Sequence, residues 1–261
     1  MNFSDLGLGE KTVKAINGWG FERPTTVQAD VIPAILQGKD IFTIAPGGCG
    51  KTISYILPLI DIISQNNSQS ILIMTSDSRK SVMISDYLSQ LNKFHEEDEN
   101  NNDNNEKETD VIIGSPDLLL ELSAEGQIDL SKVNILVVDD INLIKKNRQI
   151  ENMEKVLERL PADKQNIVYT NRRSRETQDI LDKILKAPQE IKVDKDKEEE
   201  AKKAPKRERN RDRSQPQKQN SYSSDMQFDE KAMELIKKHN SFNGKTPNFL
   251  LCKAEPVKDD E

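Results

Sequence analysis

With 261 residues, the chain has room for one α/β domain of ordinary size and a tail, but not for two such domains. A formal net charge of −7 excludes a global positive field, so any nucleic-acid binding has to come from a local patch. Two cysteines, Cys49 and Cys252, are too few for a disulfide framework and suit a reducing compartment. No apolar run could span a bilayer, so a soluble, cytoplasmic protein without a standard secretion signal is expected.

Apolar residues at 6, 8, 13 and 16 mark one face of a helix from Leu6 to Asn17, which Gly18-Trp19-Gly20 ends. Pro24, Thr25 and Thr26 suit the start of a second helix that runs through Leu36. Ile41-Phe42-Thr43-Ile44 reads as a strand, and Ile53 to Leu57 belongs to the helix after it. Further strands are expected at Ile71 to Met74, Val111 to Ile113, Asn134 to Val138, Asn166 to Tyr169 and Glu190 to Val193. Helices at Lys80 to Leu91, Pro116 to Leu122, Glu151 to Leu160 and Ser174 to Leu185 alternate with them. Repeated alternation with β-branched strands implies an α/β fold whose mostly parallel sheet is covered on both faces.

The most informative stretch is Ala45-Pro46-Gly47-Gly48-Cys49-Gly50-Lys51-Thr52, set between a strand and a helix. Glycines at 47, 48 and 50 let backbone N–H groups turn inward around Cys49 as an anion nest, and the next helix points its positive dipole end at the same place. Lys51 is of a length to reach β- and γ-phosphates, and Thr52 offers a hydroxyl to Mg²⁺. This is the pattern of a P-loop nucleotide site.

Downstream, the strand Ile135-Leu136-Val137-Val138 delivers Asp139-Asp140-Ile141-Asn142. An aspartate at the carboxyl end of a buried strand beyond a phosphate loop is where a Mg²⁺-binding carboxylate belongs, which assigns Asp139 to the metal and leaves Asp140 open between acting on the attacking water and capping the next helix. The plainer alternative is a capped helix start, since Asp and Asn both cap well.

The string Gly20-Phe21-x-Arg23-Pro24-Thr25-x-Val27-Gln28, with Phe3 ahead of it and Gly38-Lys39-Asp40 behind, resembles the adenine-reading segment of DEAD-box RNA helicases. The resemblance implies a RecA-like fold and ATP as ligand. It places the Gln28 amide on the adenine edge, with Phe3, Phe21 and Arg23 completing the base pocket. A side-chain amide has the donor and the acceptor that the N6/N7 edge of adenine requires.

The chain departs from the family in a patterned way. Where the family reads Asp-Glu-Ala-Asp from position 139, the glutamate is Asp140 and the last aspartate is Asn142. Ser78 and Leu118 fall where the family carries arginines that hold the RNA backbone, with Arg79 one position on. His95 to Glu99 and an asparagine-rich run to Glu108 replace a glycine pair near RNA and read as an acidic, mobile loop. Tyr169-Thr170-Asn171-Arg172 stands where the family has Ser-Ala-Thr. Arg172 and Arg173 form a new basic spot or a solvated loop. Each lost arginine removes a charge-assisted phosphate contact, so RNA affinity is expected to be weak.

By this reading, residues 1–193 form the ATP-binding domain, 194–227 a disordered charged linker, and 228–261 a short helix and apolar end motif. Lys202 to Arg213 is the most basic part of the linker, either a loose RNA tail or a solvated spacer. The family's second domain supplies arginine fingers worth about 10³ to 10⁵ in rate, and a catalytic group misplaced by about 1 Å costs roughly 10²-fold. ATP and Mg²⁺ binding with weak hydrolysis is therefore the expectation. The alternative is a non-catalytic adaptor that recruits a helicase or ribonucleoprotein partner through its C-terminal tail.

Overall fold

The computed structural model describes residues 1–65, 69–96 and 110–193. The acidic loop beyond residue 96, the charged linker, the terminal helix and the end motif of the sequence reading lie outside the described residues.

Six strands form one sheet: β1 (Ile41–Ile44), β2 (Ser70–Met74), β3 (Asp110–Gly114), β4 (Ile135–Val138), β5 (Gln165–Thr170) and β6 (Gln189–Lys192). Their order is β3-β2-β4-β5-β1-β6, and every pairing is parallel. Helices α1 (Glu10–Gly18) and α2 (Thr26–Leu36) precede the sheet, and the crossovers that parallel strands need are supplied by α3 (Lys51–Ser64), α4 (Ser78–Glu96), α5 (Pro116–Ala124), α6 (Ile141–Lys146), α7 (Ile150–Leu157) and α8 (Gln178–Ile184).

Side-chain alternation divides the core in two. Ile41, Ile71, Ile73, Ile135, Val137, Ile167 and Tyr169 face the layer of α1 to α4, whereas Phe42, Ile44, Leu72, Met74, Leu136, Val138 and Val168 face α5 to α8. Because both faces are covered, the strands read as continuous apolar runs, and β1, β2 and β4 are buried at every position.

The strands lie where the sequence places them, within a residue or so. The helices differ more. The first begins at Glu10 rather than Leu6, because a 3-10 turn over Phe3–Leu6 closes on Gly7 at φ 85°, a left-handed conformation that a glycine adopts without a Cβ clash. The restarted helix is fastened to α3 through Asp61, 3% exposed, which accepts the Gly9 N–H at 2.6 Å and the Thr12 hydroxyl. The helix expected from Ser174 is a 3-10 turn over Arg175–Thr177 followed by α8. Among the described residues no helix is long and apolar enough to cross a membrane.

Candidate nucleotide-binding site

At the carboxyl edge of the sheet, the loops after β1, β2, β4 and β5 surround a cleft of about 520 Å³ lined by Gly50, Lys51, Thr52, Lys80, Asp139 and Asp140, among others. That is the edge where open α/β sheets bind ligands, and the volume is in the range of small-molecule sites. A larger groove, about 780 Å³, opens at the amino edge beside Gly38, Asp163 and Lys186, away from the glycine-rich loop.

The loop after β1 turns through Gly48 at φ 83° and Gly50 at φ 85°, and Gly50 sits immediately before α3. Cys49 is buried, with its thiol on the Pro46 carbonyl at 3.0 Å. Lys51 folds back over the loop and donates to the carbonyls of Ala45 at 2.9 Å and Pro46 at 3.0 Å. The loop thus carries its own cation at its centre.

Gln28 lies against this loop, 2% exposed. Its Oε1 accepts the Thr25 N–H at 2.9 Å, closing a capping box on α2, and its Nε2 donates to the Gly50 carbonyl at 3.3 Å. Thr25 donates its hydroxyl to the Cys49 carbonyl at 2.7 Å. Each end of the amide retains one further hydrogen-bonding position, but the side chain is buried beneath the loop and does not line the cleft. Phe21 is half-buried and packs on the core, Arg23 is exposed, and Phe3 is buried in the core at 2% exposure rather than lining the cleft.

Asp139 leaves β4 into a buried position. Tyr55 donates its hydroxyl to Asp139 Oδ1 at 2.7 Å, and burial beside that carboxylate raises the phenol well above its ordinary range. Asp139 Oδ2 faces the Lys80 ammonium at 3.6 Å, and the same ammonium donates to Thr52 Oγ1 at 3.0 Å. Thr52 and Asp139, the pair expected at Mg²⁺, are of the hard-oxygen type that cation takes, but Lys80 stands between them.

The Asp140 carboxylate accepts the N–H groups of Asn142 at 3.0 Å and Leu143 at 3.3 Å, so it caps α6. Desolvation by burial raises its pKa above the ordinary carboxylate value, against the lowering influence of Lys51. Asn142 donates through Nδ2 to Thr170 Oγ1 at 2.7 Å, Asn171 Oδ1 at 3.0 Å and the Arg172 carbonyl at 2.8 Å, which ties the loop after β4 to the loop after β5.

At the positions where the sequence loses its arginines, Ser78 opens α4 and Leu118, in the first turn of α5, packs against the core. Arg79 lines the cleft. Arg173 is engaged with Glu190 at 2.5 Å and lies over the Phe42 ring at 5.5 Å. Lys80, Tyr55 and the donor role of Asn142 were not legible as site features in the sequence, because each acts on partners far away in the chain.

Fold and cleft together define a RecA-like α/β domain. The DEAD/DEAH box helicase family model matches residues 25–180, more than half of the chain, and the chain belongs to that family. It is 26% identical over 203 residues to the ATP-dependent RNA helicase DeaD of Escherichia coli, covering 73% of this chain and 32% of that protein. To the DEAD-box ATP-dependent RNA helicase CshA of Geobacillus kaustophilus it is 27% identical over 202 residues, 73% of this chain and 43% of that one. The chain therefore spans less than half the length of either relative. A DEAD box protein from the hyperthermophile Methanococcus jannaschii superposes with a TM-score of 0.65 at 25% identity, over 74% of this chain and 56% of that one.

Proposed function

We propose that the domain binds ATP in the cleft at the carboxyl edge of the sheet, hydrolyses it slowly and has weak affinity for RNA. The observation that carries this reading is the glycine-rich turn at Gly48 and Gly50 opening α3 with Lys51 and Thr52, opposite Asp139. Backbone N–H groups at a helix start, a mobile ammonium and a nearby carboxylate are what a polyphosphate site needs. On binding, Lys51 exchanges two loop carbonyls for phosphate oxygens, and Gln28 has to be uncovered from beneath the loop to offer its remaining donor and acceptor to adenine. Thr52 and Asp139 carry oxygens of the type that Mg²⁺ takes, but the Lys80 ammonium lies between them.

Slow turnover is supported by Asp140, one methylene shorter than glutamate and engaged with the start of α6. A general base has to reach its proton at hydrogen-bond distance, and this one is held by two backbone N–H groups. Weak RNA affinity is supported by Ser78 and Leu118.

Titration of the full chain with a fluorescent ATP analogue tests the reading. Saturable micromolar binding that Lys51→Ala weakens by about tenfold or more, the loss of a charge-assisted hydrogen bond, is expected. Gln28→Ala should weaken ATP more than inorganic triphosphate. No saturation by the folded wild type would remove the reading.

A further inference from the structure

The Lys80 ammonium occupies the point between Thr52 and Asp139. It donates to the threonine hydroxyl at 3.0 Å and makes an ion pair with the carboxylate at 3.6 Å, beyond hydrogen-bond reach. Helix chemistry does not account for a lysine there. Position 80 lies in the first turn of α4, where the positive end of the helix dipole disfavours a cation. Its backbone is fixed by Asp77, whose Oδ1 accepts the Lys80 N–H at 3.0 Å, and this aims the side chain across the cleft.

The acceptors are committed as well. Asp139 is 5% exposed, one of its oxygens accepts from Tyr55 and the other faces Lys80. Mg²⁺ demands near-octahedral oxygens at roughly 2.0–2.1 Å and gives up its water reluctantly. To enter here it would have to expel an ammonium that is attached to the same chain, whose effective concentration is about millimolar or higher.

We propose that Lys80 is a tethered cation that takes the magnesium position, so that this chain binds ATP without a divalent metal. The inference rests on the nucleotide-binding reading above. With Lys51 and Arg79 lining the same cleft, three cationic side chains surround the polyphosphate, which offsets the replacement of a double charge by a single one. The role is one of binding: an ammonium neutralises phosphate charge and donates hydrogen bonds, but it does not coordinate and acidify water as a metal does.

The test is calorimetric titration of the full chain with ATP, in Mg²⁺ and again in excess EDTA, for the wild type and for Lys80→Met. Wild-type affinity should change by less than about threefold on chelation, whereas Lys80→Met should bind at least about tenfold more weakly in EDTA than in Mg²⁺, the measure of one lost charge-assisted contact. Wild-type binding that collapses in EDTA overturns the inference and leaves the nucleotide site standing. That arm is decisive even if the variant does not fold. A Lys80→Met protein as indifferent to Mg²⁺ as the wild type also overturns it. Absence of ATP binding by the folded wild type under both conditions overturns the nucleotide reading and this inference with it.

Discussion

Asn142 shows how a single atom exchange can be fitted to its surroundings. The Thr170 hydroxyl spends its hydrogen on the Arg172 carbonyl at 2.8 Å, so toward Asn142 it presents only a lone pair, as the carbonyl does. Both acceptors require the NH₂ of an amide, and a carboxylate would face two oxygens with no hydrogen to give. Restoring the family's aspartate should therefore destabilise the protein. A negative charge near the start of α6 gains about 0.3–1 kcal/mol from the helix dipole. Losing the two amide hydrogen bonds costs about 0.5–1.5 kcal/mol apiece, so the loss dominates. Urea melts of Asn142→Asp should show a lower midpoint at unchanged slope. Asp140, next door, makes a pH prediction. Because burial raises its folded-state pKa, the protonated form favours the folded state. Its contribution is full below the ordinary carboxylate pKa and is lost as pH rises through the folded value. Relative to Asp140→Asn, the wild type should lose stability across that acidic interval and run parallel to the variant above it, as measured by urea melts at successive pH values.

At the scale of elements, β1, β2 and β4 were legible because parallel strands covered on both faces are apolar along their whole length, whereas β6, at the sheet edge, is buried only at Ile191. The start of α1 was not, since the periodicity at 6, 8, 13 and 16 continues through Gly7, where the backbone breaks. Helix α6, at six residues, is too short to show a period, and only the Asp140 cap announced it. In the site, Gly48, Gly50, Lys51 and Thr52 could be read because they are consecutive or nearly so. The Lys80 bridge joins positions 28 and 59 residues apart from it, and no local pattern reports such a contact. The joint between α2 and α3 gives a prediction of its own. A Cβ on Gly50 would stand 2.5 Å from Gln28 Nε2, at a φ of 85° that costs a side chain about 1–2 kcal/mol. Gly50→Ala should lower the melting temperature by roughly 2–4 °C per kcal/mol for a domain of this size, and should weaken nucleotide binding as Gln28 is pushed from the loop. Thermal denaturation followed by circular dichroism, with the same fluorescent titration, checks both.

For the molecule as a whole, the sheet order has a temporal meaning. Among the described residues β1, which carries the glycine-rich loop, pairs with β5 and β6, the last two strands in chain order. Residue 44 meets residue 192, a separation of 148 positions. At about 5–20 residues per second of synthesis, roughly 7–30 seconds pass between the appearance of β1 and that of its final partner. Until β5 emerges, β2, β3 and β4 can already pair with one another, while Ile41, Phe42 and Ile44 wait without a ladder on either side. A nascent chain of this order displays an unpaired apolar strand until β5 emerges, with residue 170 lying 126 positions beyond its partner, residue 44. The ligand site of a newly made molecule therefore forms no earlier than the pairing of β1 with β5, which joins the glycine-rich loop to the strands already paired.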